Sequence, residues 1–194
     1  MSEQIFLNGS FVPKKDAKIS IMDRGFMFGD GVYELIPVYN GKPFLLDEHL
    51  SRLDNSLSLI DMGSTLSEDF NIQNIISELI NKNKYENHFI YIQITRGIDS
   101  DRQHIYGSTI QPTIIIMGQS YTPFTLDQIK KGFKATIHED YRWRRANIKS
   151  ISLLLLPDEI SVIIGGPLYI LNSFCCWLSE IDIGVSHNYN EIPC

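Results

Sequence analysis

Residues 23–57 read DRGFMFGDGVYELIPVYNGKPFLLDEHLSRLDNSL: a glycine-rich opening, an apolar run, an Asn-Gly pair and then a helical repeat. Asn40-Gly41 predicts a hairpin between a strand at about 32–39 and a partner at about 42–46, because a type I′ turn needs positive φ at both central positions. Pro37 removes a backbone donor, so the first strand is expected at a sheet edge or bulged there. Asp47 is a natural N-cap. Beyond it Leu50, Leu53, Leu57 and Ile60 recur at intervals of three and four, lining one face of a helix that should end near Met62, before Gly63. Gly29-Asp30-Gly31 is too short to cradle a phosphate alone and reads as a tight turn feeding the strand at Val32.

Working outward, IFLNGSFVP at 5–13 places Asn8-Gly9 between two apolar runs and predicts another hairpin. On the C-terminal side, Ser67 is expected to cap a second helix with Glu68 and Asp69 in its first turn, burying Phe70, Ile75, Ile76, Leu79 and Ile80. FIYIQITRG at 89–97 reads as a strand with Ile90, Ile92 and Ile94 on one face and Phe89, Tyr91, Gln93 and Thr95 on the other. PTIIIMG at 112–118 supplies a further buried strand. SYTPFT at 120–125 looks like a linker to a second domain opening with the strand GFKATIHED at 132–140. No internal repeat or low-complexity segment is visible.

The 194 residues are 43% hydrophobic and 21% charged, an ordinary globular composition. A net charge of -6 argues against a nucleic-acid partner held by phosphate contacts and leaves small molecules as the expected ligands. The N-terminus lacks a basic region followed by an apolar stretch, and the three cysteines have no metal-ligand spacing; both point to the cytoplasm and to no metal site. One break stands out. At the Lys and Arg density of the first 149 residues the last 45 positions should carry about five more, and they carry none. All the cysteines, Cys175, Cys176 and Cys194, fall in that tail. SVIIGGPLYILNSFCCWL at 161–178 carries no charge, but Gly-Gly-Pro and Asn-Ser interrupt it, so no membrane segment is expected.

There is no Walker loop, no G-x-G-x-x-G after a strand, no H-E-x-x-H, no C-x-x-C and no G-x-S-x-G elbow. YRWRRANIKSISL at 141–153 is more suggestive. Arg142, Arg144 and Arg145 precede Lys149, and neighbouring cations favour the neutral amine that attacks an aldehyde to make a Schiff base. By spacing alone, a surface lysine in a basic loop is the commoner reading.

The string at 23–57, together with TRGIDSDRQHIY at 95–106 and KKGFKATIHEDYRWRRANIKSISL at 130–153, closely resembles three successive blocks of the D-amino-acid transaminases. The resemblance covers about residues 4–154. It implies the α/β (α+β) architecture of the fold type IV pyridoxal-phosphate enzymes: a small N-terminal α/β domain over 1–120, the start of a cofactor domain over 121–154, then a divergent tail over 155–194. It implies a homodimer acting on an amino acid and a 2-oxo acid, with pyridoxal 5'-phosphate as cofactor.

Residue by residue, Lys149 matches the lysine that binds that cofactor covalently and then moves the substrate α-proton. Arg52 matches the arginine on the cofactor phosphate, against a plain reading as a solvated helix arginine. Tyr33 matches an active-site tyrosine near the substrate carboxylate. Arg102 and His104 match an Arg-x-His pair that captures that carboxylate from across the dimer interface, against plain loop solvation. This loop, one residue longer around Asp99 to Asp101 than the family form, favours D-amino acids over the branched-chain transaminases and aminodeoxychorismate lyases that share the fold. His49 reads as a helix-surface histidine, with a supporting role near Lys149 as the alternative.

Beyond Leu154 the family's acidic residue in a T-E-x-x-x-S-N context has no equivalent. That residue pairs with the cofactor ring nitrogen. A frameshift near codon 154 is the simplest expectation, leaving a chain with neither cofactor absorbance nor D-alanine turnover. A non-enzymatic remnant that only dimerises is the alternative from another class.

Overall fold

The computed structural model describes residues 2–63, 71–107, 110–121, 125–131 and 148–151. The expected helix start at Ser67, the strand at 132–140, the cations Arg142, Arg144 and Arg145, and the whole tail beyond 151 lie outside them. By its internal contacts the chain divides into one unit of Met1–Phe124 with Asp140–Leu154 and another of Thr125–Glu139 with Leu155–Cys194. Of the second unit, only a short helix at Leu126–Lys131 is described. Among the described residues no helix is long and apolar enough to cross a membrane.

The first unit is built on a six-stranded sheet, β1 Gln4–Leu7, β2 Ser10–Pro13, β3 Gly31–Tyr39, β4 Lys42–Pro43, β5 His88–Thr95 and β6 Thr113–Ser120. Their order is β2-β1-β6-β5-β3-β4, with every pair antiparallel. The architecture is therefore the α+β sense of the expected class. Both hairpins form where the Asn-Gly pairs lie, with φ of 45° and 92° at Asn8 and Gly9, and 50° and 74° at Asn40 and Gly41.

Strand alternation supplies the core. Val32, Ile36 and Val38 on β3 share a face with Ile90, Ile92 and Ile94 on β5 and with Ile114 and Ile116 on β6, all buried. Against this face pack Leu53 and Leu57 of α2, Leu46–Ser58, and Ile72, Ile76, Leu79 and Ile80 of α3, Ile72–Asn83. Truncating one such leucine or isoleucine to alanine costs about 2–5 kcal/mol.

Four local expectations need correction. α2 starts one residue before Asp47, behind Leu45 in the left-handed region at φ 47°, so Asp47 sits in the first turn and caps nothing. It also ends at Ser58, four residues short of Met62. α3 is capped by Asn71, whose side chain accepts from the Asn74 amide at 3.0 Å, rather than by Ser67. Pro37 lies neither on an edge strand nor at a bulge. Its carbonyl accepts from Phe44 at 2.8 Å, and its donor-less nitrogen faces the same side, where β4 is only two residues long.

Candidate active site

The segment 148–151 completes the outer edge of β3 where β4 stops. Tyr33 donates its amide to the Lys149 carbonyl at 2.9 Å, Ile151 donates to the Gly31 carbonyl at 3.2 Å, and Ser150 bridges to Val32. Gly31 is required here, since a Cβ would collide with the Ile94 carbonyl and press on Ile151. This backbone pairing places the Lys149 amine 4.2 Å from the centre of the Tyr33 ring, and Tyr33 in turn packs against Tyr91 at 5.7 Å.

Register then explains the residue sequence reasoning missed. Glu34 is paired with Ile92, which is paired with Ile116, so its carboxylate occupies the middle of an apolar row and is fully buried. Such a group persists only if its oxygens are satisfied. Arg52 grips both, Nε on Oε2 at 2.7 Å and Nη2 on Oε1 at 2.6 Å, while Oε1 also accepts from the Leu35 amide at 2.8 Å and meets His49 Nδ1 at 3.1 Å. Burial alone would raise the Glu34 pKa. The His49 and Arg52 hydrogen bonds, the Arg52 charge and the Leu35 amide outweigh it and pull the value down to about 2.

His49 and Arg52 stand three residues apart on α2, on one helical face, which is why both reach Glu34. His49 is therefore buried, correcting its reading as a helix-surface histidine. Arg52 keeps 31% of its side chain exposed, so the fork is anchored from below and presents its outer side to solvent. Burial pushes the Lys149 amine below its ordinary pKa; the Glu34 carboxylate pulls it back up and the Arg52 guanidinium adds to the fall. The outcome is an amine that releases its proton more readily than a surface lysine. An open hollow lined by Asp47, Glu48, Ser51, Arg52 and Asn55 shares Arg52 with this cluster.

Of the predicted site residues, the structure thus sets Lys149 against Tyr33 and within electrostatic reach of Arg52. Arg102 and His104 lie elsewhere, on the exposed loop after β5, both against Phe28: the Arg102 guanidinium is 4.9 Å from its ring centre and the His104 ring 5.4 Å. Phe28 closes α1, Arg24–Phe28, a helix that the sequence pattern does not announce; Asp23 caps it and Gly29 ends it at φ 65°. The bland reading of the Gly29-Asp30-Gly31 backbone holds, but the Asp30 side chain joins a partly buried ion network. Its Oδ2 accepts from Arg24 Nε and Arg96 Nε, each at 2.9 Å.

Comparison with known proteins places this geometry. Residues 31–156 match the family model described as Amino-transferase class IV. The chain is 40% identical over 165 residues to a D-alanine aminotransferase of Staphylococcus haemolyticus, covering 82% of this chain and 56% of that one. It therefore spans little more than half the length of that curated relative. Among solved structures it resembles a branched-chain aminotransferase from the thermophilic archaeon Thermoproteus uzoniensis with norvaline, at TM-score 0.59 and 20% identity over 78% of this chain and 52% of that one. It also resembles a 4-amino-4-deoxychorismate lyase from Pseudomonas aeruginosa, at TM-score 0.54 and 21% identity over 68% and 45%. At those identities the two structures speak for the fold alone.

Proposed function

The chain belongs to the class IV aminotransferases, and on that premise we propose that it forms the lysine-bearing part of a pyridoxal-phosphate site for amino transfer between a D-amino acid and a 2-oxo acid. One observation carries the reading: a half-buried lysine amine with a depressed pKa stands over the Tyr33 ring, within electrostatic reach of an arginine that a buried carboxylate fixes in place. The donor set suits the cofactor. Lys149 supplies the amine for its aldehyde, and Arg52 offers a partly exposed guanidinium for its phosphate. When bound, the cofactor supplies an electron sink for the carbanion left when the substrate loses its α-proton. Glu34 is taken up by Arg52, His49 and the Leu35 amide, so among the described residues it is not the partner of the ring nitrogen.

Within this reading Lys149 carries the proton at Nζ, and the Tyr33 ring beneath it limits where that amine can swing. Arg102 and His104 bind the substrate carboxylate of a partner copy. Support for pairing comes from the apolar surface near their loop, where Ile21, Phe26, Ile98 and Ile105 are all more than half exposed. The domain assignment proposed is 1–120 and 121–154 with the tail over 155–194, in the cytoplasm. The D-amino-acid choice rests on the Arg-x-His loop and on the 40% identity to a D-alanine aminotransferase.

The test asks for binding rather than turnover. The full chain is incubated with excess pyridoxal phosphate, reduced with borohydride and digested, and the modified peptide is located by mass spectrometry. The phosphopyridoxyl group is expected on Lys149 ahead of every other lysine, and lost in Lys149→Ala. Labelling spread over surface lysines, unchanged in that variant, ends the assignment.

A further inference from the structure

We propose that Arg24 is the positioning residue for the Arg102–His104 pair, an inference that rests on the carboxylate-trap reading of that loop. The pair sits on an exposed loop without regular structure, where two long side chains would sample many orientations, and fixing them only at the moment of binding would weaken capture. Arg24 removes that freedom. Its Nη1 donates to the Gln103 carbonyl at 2.7 Å and its Nη2 to the His104 carbonyl at 3.1 Å, so one planar fork holds the backbone between the two trap residues and at the second of them.

The fork itself is immobilised. Its side chain is 5% exposed, Nε is bound to Asp30 at 2.9 Å, and Nη1 lies 3.6 Å from Asp99 Oδ2, a charge contact without hydrogen-bond geometry. The Arg24 guanidinium packs on Phe28 at 4.9 Å, the same ring that carries Arg102 and His104. One residue therefore holds the loop's backbone and shares the platform of its side chains. The base of the loop is closed by Gly97 at φ 106°, where a Cβ would collide with the Gln111 carbonyl. Arg96 stacks on Tyr106 at 4.0 Å and binds the same Asp30 oxygen. Arg24 and Arg96 are held against Asp30 and Asp99, while Arg102 stands exposed on the loop beside Asp101.

The test compares the full chain with Arg24→Lys, which keeps the charge beside Asp30 and Asp99 but cannot fork to two carbonyls. Amides of residues 101–107 are expected to exchange about tenfold faster in the variant, with unchanged far-ultraviolet circular dichroism. Propionate, as a carboxylate probe, should move the His104 imidazole resonances only at about tenfold higher concentration. Arg96→Lys, which leaves the fork but alters the stack on Tyr106, should change the propionate response by no more than about twofold. Wild-type protection and propionate response retained in Arg24→Lys would overturn the proposal, as would an equal loss of propionate response in Arg96→Lys. If Arg24→Lys does not fold, the wild type decides. Resolved, slowly exchanging Arg24 Nη protons coupled to the Gln103 and His104 carbonyls support the hold, and one averaged signal overturns it. A wild type blind to propionate, with a loop that still loosens in Arg24→Lys, sinks the trap reading and keeps the anchoring.

Discussion

Two carboxylate–arginine sets, each anchored on a buried member, sit near the first half of β3, and they use burial for different ends. In one, Glu34 is wholly buried and a single arginine satisfies both of its oxygens, so the anion belongs to the protein and the cation's outer side faces solvent. In the other, Asp30 is shared by Arg24 and Arg96, whose remaining donors reach the backbone carbonyls of Gln103, His104 and Ile60. The first set aims a side chain; the second shapes a loop. Neither is an economical route to stability, because an apolar replacement of a buried ion pair is often neutral or stabilising. Their common feature is that every charge has a stated structural neighbour to orient.

The comparison breaks hardest at Glu34. Glu34→Gln leaves Arg52 with half its carboxylate and a buried amide, and should cost about 3–5 kcal/mol in urea unfolding. Glu34→Met combined with Arg52→Met should recover most of that loss while abolishing borohydride trapping at Lys149. If the double variant is as unstable as the single, the set holds up the core and the aiming role fails. The second set predicts a milder response: Arg96→Met should cost about 1–3 kcal/mol, because Asp30 keeps Arg24.

Acid separates the sets further. The Glu34 pKa of about 2 lies below its ordinary value of 4.5, so the folded state binds fewer protons between those values. Its stabilisation is complete above pH 4.5 and is lost as pH falls toward 2, roughly 3 kcal/mol in all. Asp30 is also held low: burial would raise it, and the Arg96 and Arg24 hydrogen bonds outweigh that. In Glu34→Gln the acid-side decline in unfolding free energy between pH 4.5 and 2 should flatten, and an unchanged slope would assign the decline to other carboxylates. Lys149 acts in the opposite range. Its lowered pKa means the unfolded chain holds the proton longer, so stability gains as pH rises toward 10.5.

What was readable in the sequence was whatever a local rule fixes. Asn8-Gly9 and Asn40-Gly41 dictated turns, and the alternation of Ile90, Ile92 and Ile94 dictated a buried face, because φ preference and strand period act over two to six residues. α2 was readable as a helix but not at its ends, since Leu45 enters it in the left-handed region with no side-chain cap to mark the start. The resemblance supplied Lys149, Arg52 and Tyr33, of which the fold sets Lys149 against Tyr33. Glu34 carries a legible signal, a lone carboxylate in phase with Val32, Ile36 and Val38, with His49 and Arg52 three apart on the next helix. Arg24 had none. Its partners Gln103 and His104 lie 79 and 80 residues away, and neither periodicity nor propensity carries information over that distance.

The smallest expected effect calibrates the rest. Glu78 and Lys82 form a surface pair at 3.2 Å one turn apart on α3, with side chains 54% and 41% exposed. Here water screens both charges and no carbonyl or third charge is oriented by the contact, so the pair itself is worth about 0.3–0.5 kcal/mol. The Lys82 amine also lies 5.1 Å from the Phe11 ring centre, and its stem covers part of that surface. Lys82→Ala should therefore lower the unfolding free energy by no more than about 1 kcal/mol, and about 1 M salt should erase the pair's share but leave the packing share. A loss as large as that in Glu34→Gln would mean that exposure does not separate the charges that orient something from those that merely meet, and the contrast between buried and surface pairs would lose its basis.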